Sequence, residues 1–110
     1  MKKVVWNKKA KEFVKNLPSS LKKEFGSLLL LLQRGNILSP PASKIIRAIH
    51  QNAFELRVKD QGGTYRVIYI LAVKNKILIP HGFKKKTQKT PDKEISIAKK
   101  RLKELLSENK

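Results

Sequence analysis

Phe54-Glu55-Leu56-Arg57-Val58-Lys59-Asp60-Gln61-Gly62-Gly63-Thr64-Tyr65-Arg66-Val67-Ile68-Tyr69 is the stretch that decides the class of fold. Phe54, Leu56 and Val58 alternate with Glu55, Arg57 and Lys59, the period of two that a half-buried strand requires. Gln61-Gly62-Gly63 marks a turn, and residues 64–73 continue as a longer apolar strand, so the two runs form a hairpin. Arg57 and Arg66 stand on either side of that turn. If 57 opposes 66, both guanidiniums project from one face of the sheet. Like charges so placed repel, and they add nothing to folding unless an anion sits between them. Two readings stay open: solvated arginines at a sheet end, or a pair that grips phosphate through bidentate hydrogen bonds.

Working outward, Lys3 to Trp6 is short, β-branched and aromatic, and predicts a strand. Asn7 is positioned to cap a helix whose face carries Ala10, Phe13, Val14 and Leu17, and Pro18 stops it. Ser19 or Ser20 caps a second helix with Leu21, Phe25, Leu28, Leu29 and Leu32 on its apolar side, ending near Arg34-Gly35. Residues 36–52 contain Pro40-Pro41 and read as a loop or a short strand. Lys76 to Phe83 is a further strand, in which Pro80 argues for a bulge or an unpaired N–H side. For the last helix, Thr90 is a cap, Pro91 the first helical position, and Asp92 and Glu94 complement the positive end. Ile95, Ala98, Leu102 and Leu105 face the core there, with Lys99, Lys100, Arg101 and Lys103 mostly on the outer surface. The order β-α-α-β-β-β-α predicts one small α+β domain over residues 1–110. Its antiparallel-rich sheet of about four strands packs against an N-terminal helical hairpin and a C-terminal helix.

The charge balance says what the chain meets. Among 110 residues, 26 are Lys or Arg and 8 are Asp or Glu, a net charge of +18, which points to a polyanionic partner. No cysteine is present, so disulfides and zinc–thiolate sites are excluded. No apolar run approaches the ~20 residues of a membrane span, and the N-terminal apolar segment is too short for a signal peptide. A cytoplasmic protein with no membrane contact is expected. His50 and His81 are far apart in sequence, with no carboxylate cluster beside either, and no Walker-type loop or nucleophile elbow is present. Neither a metal nor a small-molecule cofactor is expected.

A second cluster of cations is His81-Gly82-Phe83-Lys84-Lys85-Lys86-Thr87-Gln88-Lys89. Such a run is often a solvated basic loop. Here an imidazole, able to transfer protons near neutral pH, stands beside a glycine that permits close backbone approach and a ring suited to base stacking. His50 has no such company and reads as structural. Trp6, Tyr65 and Tyr69 read as packing residues. RNA brings its own nucleophile, the 2′-hydroxyl. A protein need only remove that proton, stabilise the charged pentacoordinate phosphorus, and protonate the 5′-oxygen that leaves.

The hairpin 54–69 resembles the central hairpin of phage-derived RelE/HigB-like toxins. So does the run His81 to Pro91, followed by Glu94, Ile95 and Ala98 on the last helix. The resemblance implies a RelE-type α+β fold and the toxin of a type II toxin–antitoxin pair, an endoribonuclease that cleaves mRNA, often on the ribosome, and inhibits translation. It implies a cognate antitoxin, commonly a helix-turn-helix protein. Carried over position by position, Arg57 and Arg66 would grip the scissile phosphate, and His81, Lys84 and Lys85 would supply further catalytic side chains. Phe83, Lys86 and Lys89 would contact RNA. The rival reading is a non-catalytic nucleic-acid-binding module, such as a decayed toxin or phage regulator, using the same cations only to bind.

Overall fold

In the run Tyr65 to Ile70, every residue but Arg66 is apolar or aromatic, as expected of a strand covered on both faces. It forms the middle of the sheet. The computed structural model describes residues 1–85 and 89–109. Along the chain come β1 (Lys3–Trp6), α1 (Lys8–Lys15), α2 (Ser19–Gln33), β2 (Ser43–Ile45), β3 (Ala53–Asp60), β4 (Gly63–Ile70), β5 (Lys76–Lys85) and α3 (Asp92–Glu108). The strands lie in the order β1-β5-β4-β3-β2, with β1 parallel to β5 and every other pair antiparallel.

Among the described residues the sheet therefore has five strands, where about four were expected. The addition is β2, which pairs Ser43 with Leu56 and Ile45 with Phe54. Three residues after two prolines are too few to show a period of two. β2 is fastened instead by a tertiary contact, the 2.6 Å hydrogen bond between the buried Ser43 and Tyr69 hydroxyls.

The sheet is a layer between helices. One face, bearing Leu56, Val58, Tyr65, Val67, Tyr69, Ile77 and Ile79, packs on Ala10 and Val14 of α1 and Leu21, Phe25, Leu29 and Leu32 of α2. Trp6 packs against this cluster, as its reading as a packing residue required. The other face, with Ala53, Ile68, Ile70, Leu78 and Phe83, takes Ala98, Leu102 and Leu105 of α3.

Helix starts differ from expectation in two places. Asn7 does cap α1, accepting from the Lys9 and Ala10 amides at 2.9 and 3.2 Å. Ser19 and Ser20, however, are the first residues of α2, and Pro18 holds the cap position without a side-chain bond. Pro91 likewise holds the cap position of α3. Thr90 is thereby released from capping and is used elsewhere.

Two features aim the functional face. β3 and β4 meet in a two-residue turn with Asp60 opposite Gly63, whose φ of +144° suits glycine. This sets Arg57 directly opposite Arg66. In β5 the pairing with β4 slips by one residue, from Ile68–His81 to Ile70–Leu78. Ile79-Pro80 is thus a bulge, one of the two arrangements that the proline left open. Without it His81 would share a face with Ile79. With it, His81 and Phe83 join Leu78 on the arginine face, and Gly82 turns toward α1, where a Cβ would fall 2.5 Å from the Phe13 ring.

Candidate functional site

Alternation along β3 and β4 places Glu55 and Arg57 beside Arg66 on the α3 face of the sheet. A carboxylate, not solvent, separates the two arginines. Glu55 Oε1 lies 3.3 Å from Arg57 Nε and 3.6 Å from Arg66 Nε. Its second oxygen accepts a 2.8 Å hydrogen bond from the Thr90 hydroxyl, and Arg66 Nη1 donates to that hydroxyl at 3.4 Å. Arg66 and Glu55 are 0% and 1% exposed, whereas the Arg57 side chain keeps 15%. Burial pushes the Arg66 guanidinium below its ordinary pKa, Glu55 draws it back up, and the charge of Arg57 lowers it. Arg57, the less buried of the pair, brings this cluster to the edge of the sheet face.

A second polar cluster stands on β5 and α3. Arg101 Nη1 lies 2.9 Å from His81 Nδ1 and 3.4 Å from the Pro80 carbonyl, and His81 Nε2 lies 2.8 Å from Glu94 Oε1. A guanidinium only donates, so Nδ1 must accept, and the ring is the tautomer whose Nε2–H donates to Glu94. Burial pushes the imidazole below its ordinary pKa; Glu94 raises it and the Arg101 charge lowers it further. His81 is therefore a neutral ring with both nitrogens engaged. Phe83 stacks on it at 5.2 Å between centroids.

Arg57, Arg66, His81 and Phe83 thus share one face, and Lys85 follows them on it, opposite Thr64. Lys84 is separated from this group. It turns to the other face, its ammonium 5.2 Å from the Tyr65 ring centroid. Lys89 is exposed, and Lys86 lies outside the described residues. His50 accepts from the Asn52 amide at 2.9 Å, in keeping with a structural part.

Four participants were not foreseen. Glu55 read as a solvent-side strand residue, Thr90 as a cap, Glu94 as a helix-dipole partner and Arg101 as an outer-surface cation. The absence of a carboxylate beside His81 holds only along the sequence, since α3 brings Glu94 to it through space. One signal was available for Glu55: an acid two residues before Arg57, and so on the same face of the strand that presents that arginine to a second one. Among the described residues, no three or more His, Asp or Glu converge as metal ligands, and no helix is long and apolar enough to cross a membrane.

Replacing Glu55 by Gln leaves two guanidiniums without their shared anion. The loss expected from breaking a buried ion pair is about 3–5 kcal/mol. Urea denaturation reads it, with Lys59→Gln on the same strand as the exposed control; equal midpoints for the two variants would contradict the arrangement. For His81, a folded pKa below the ordinary ~6.5 means that the unfolded chain binds the proton more readily. Its contribution to stability is complete above that value and is lost as pH falls from there toward the depressed folded value. The urea midpoint should drop over that window, and less so in His81→Gln; parallel curves would show that His81 is not the group responsible.

Residues 12–103, from within α1 to within α3, match the family described as phage-derived Gp49-like protein (DUF891). No curated protein matches the sequence significantly. Extending over all four strands β2 to β5 and both polar clusters, the family match shows that the chain belongs to the phage-derived Gp49-like proteins, a family of RelE/HigB-like toxin type.

Proposed function

We propose that this chain is the toxin of a toxin–antitoxin pair and acts as an endoribonuclease on mRNA, in the setting of the ribosome, so that translation stops. The observation that carries the reading is the opposed pair Arg57–Arg66, held at a sheet face by one buried carboxylate in a chain of net charge +18. A fixed excess of positive charge needs no reorganisation when negative charge develops on phosphorus.

In this reading Arg57, the more exposed of the pair, receives the scissile phosphate, and Arg66 adds its charge from within the sheet. The 2′-hydroxyl loses its proton and attacks phosphorus, the bond to the 5′-oxygen breaks, and that oxygen takes up a proton. A 2′,3′-cyclic phosphate remains on one fragment and a 5′-hydroxyl on the other. Lys85, at the end of β5 on the same face, is placed to carry a proton or neutralise a phosphate oxygen. His81 joins proton transfer only when Arg101 leaves Nδ1; at rest it is a positioning residue that ties β5 to α3. Lys84, on the far face, contributes its charge to RNA held around the strand end. The partner that restrains such a toxin is a cognate antitoxin whose acidic surface offsets part of the +18.

One observation favours the rival reading, a module that binds nucleic acid without cutting it. Arg66 is fully buried, and both ring nitrogens of His81 are engaged, which keeps that imidazole from proton transfer at rest. Induced expression of the chain, with growth and mRNA 5′ ends followed together, separates the two. Cleavage predicts arrest with new 5′ ends inside reading frames, and Arg57→Ala, at the exposed edge of the pair, should lower cutting ~10²–10³-fold while the protein stays folded. Intact messages alongside RNA binding with a steep salt slope, ~0.7 log units per neutralised phosphate, would favour the binding module.

A further inference from the structure

Beside Arg57 lies a cavity of about 280 Å³ lined by Pro41, Ala42, Arg57 and Lys59. It is built by the join between β3 and the residues leading into β2. The Arg57 amide donates to the Ala42 carbonyl at 2.9 Å, extending the β2–β3 pairing by one residue and holding the proline segment against the strand. Arg57 and Lys59, two apart on β3, project from the same face, so the cavity continues directly from the arginine pair.

The lining has a definite chemistry. Pro41 and Ala42 present an apolar wall. Arg57 and Lys59 donate hydrogen bonds and cannot accept them. The cavity is slightly smaller than the ~300–1,000 Å³ of drug-sized ligand sites, the scale of one nucleoside rather than of a longer segment. A flat ring with weakly polar faces and acceptors on its edge fits these walls. Among the nucleobases guanine offers the best match, because its O6 and N7 are adjacent acceptors that arginine and lysine recognise together. Cytosine's acceptors O2 and N3 share their edge with the N4 amino donor, so that edge matches two cations less well than the O6–N7 edge of guanine.

We propose that this cavity takes the base, guanine by preference, of the nucleotide joined to the phosphate at Arg57. Pro41, Ala42 and Lys59 are then specificity-determining residues for the cleavage proposed above, on which this inference rests. Arg57 serves both groups: its position at the rim of the cavity fixes the distance between the phosphate and the base that is read.

Binding separates this inference from the cleavage reading. The full chain is titrated with guanosine 3′-monophosphate, cytidine 3′-monophosphate and ribose 5-phosphate, following the NMR signals of the Ala42 methyl and the Arg57 amide. The expected order puts the guanine nucleotide about tenfold tighter than ribose 5-phosphate, the lower end of a bidentate base contact, with the cytosine nucleotide near the sugar phosphate. Ala42→Leu, which fills the cavity, should bring all three to the affinity of ribose 5-phosphate. Lys59→Gln, at an exposed position, should narrow the gap between guanine and cytosine. Equal affinities for the three probes would overturn the base site and leave the cleavage reading standing. Guanine selectivity in a chain that cuts no message would uphold the base site and remove cleavage. Shifts confined to residues other than Ala42 and Arg57 would overturn it as well.

Discussion

Glu55 sits between two arginines that face each other across a hairpin, in the part of the sheet least able to hold charge. A guanidinium in the middle strand, out of contact with water, is tolerable only with an anion and hydrogen bonds in fixed geometry. Glu55 supplies the anion to Arg66 and Arg57 together, and Thr90 satisfies the remaining carboxylate oxygen. The arrangement reaches beyond the hairpin. Thr90 immediately precedes the cap of α3, so the carboxylate that holds the arginines also fixes where the last helix begins.

The same helix is held again one strand away. The bulge at Ile79-Pro80 turns His81 onto the arginine face, and there its ring links Glu94 and Arg101, two turns apart on α3. These polar ties flank the apolar contact of Ala98, Leu102 and Leu105 with the sheet. The apolar contact supplies burial without direction; the two clusters supply the position along and around the helix axis. Arg57, the less buried of the two guanidiniums, stands where the sheet face meets the cavity formed with Pro41 and Ala42.

Much of this was legible in the sequence where periodicity or local chemistry determines the outcome. The hairpin and the α1 cap at Asn7 follow from alternation, turn chemistry and side-chain capping; the 57–66 pairing was one register the turn allowed, and Pro80 left a bulge and an unpaired N–H side both open. The α+β class followed from the order of the elements. β2 was not legible, because its three residues are held by pairing with β3 and by the Ser43–Tyr69 bond, neither of which leaves a local pattern. The site was legible in its cations and not in their partners. Glu55, Thr90, Glu94 and Arg101 each had an ordinary local role on offer, and only the packing of α3 on the sheet brings them to Arg66 and His81. Lys84 and Lys85 show the complementary limit: as neighbours on a strand they must fall on opposite faces, and the bulge decides that Lys85 rather than Lys84 joins the arginines.

In the proposed function the phosphate is taken at the guanidinium pair rather than across the surface lysines, even though lysines carry most of the charge. That central claim is tested most directly by a titration with a 2′-deoxy dinucleotide, which binds as substrate would and lacks the nucleophile. Side-chain Nε–H signals of the arginines are followed by NMR through the titration. The account predicts that the Arg57 and Arg66 signals shift together and saturate at one concentration, Arg57 by the larger amount, with the other arginines little moved. Unchanged Arg57 and Arg66 signals, while the basic helices respond to the same ligand, would contradict it.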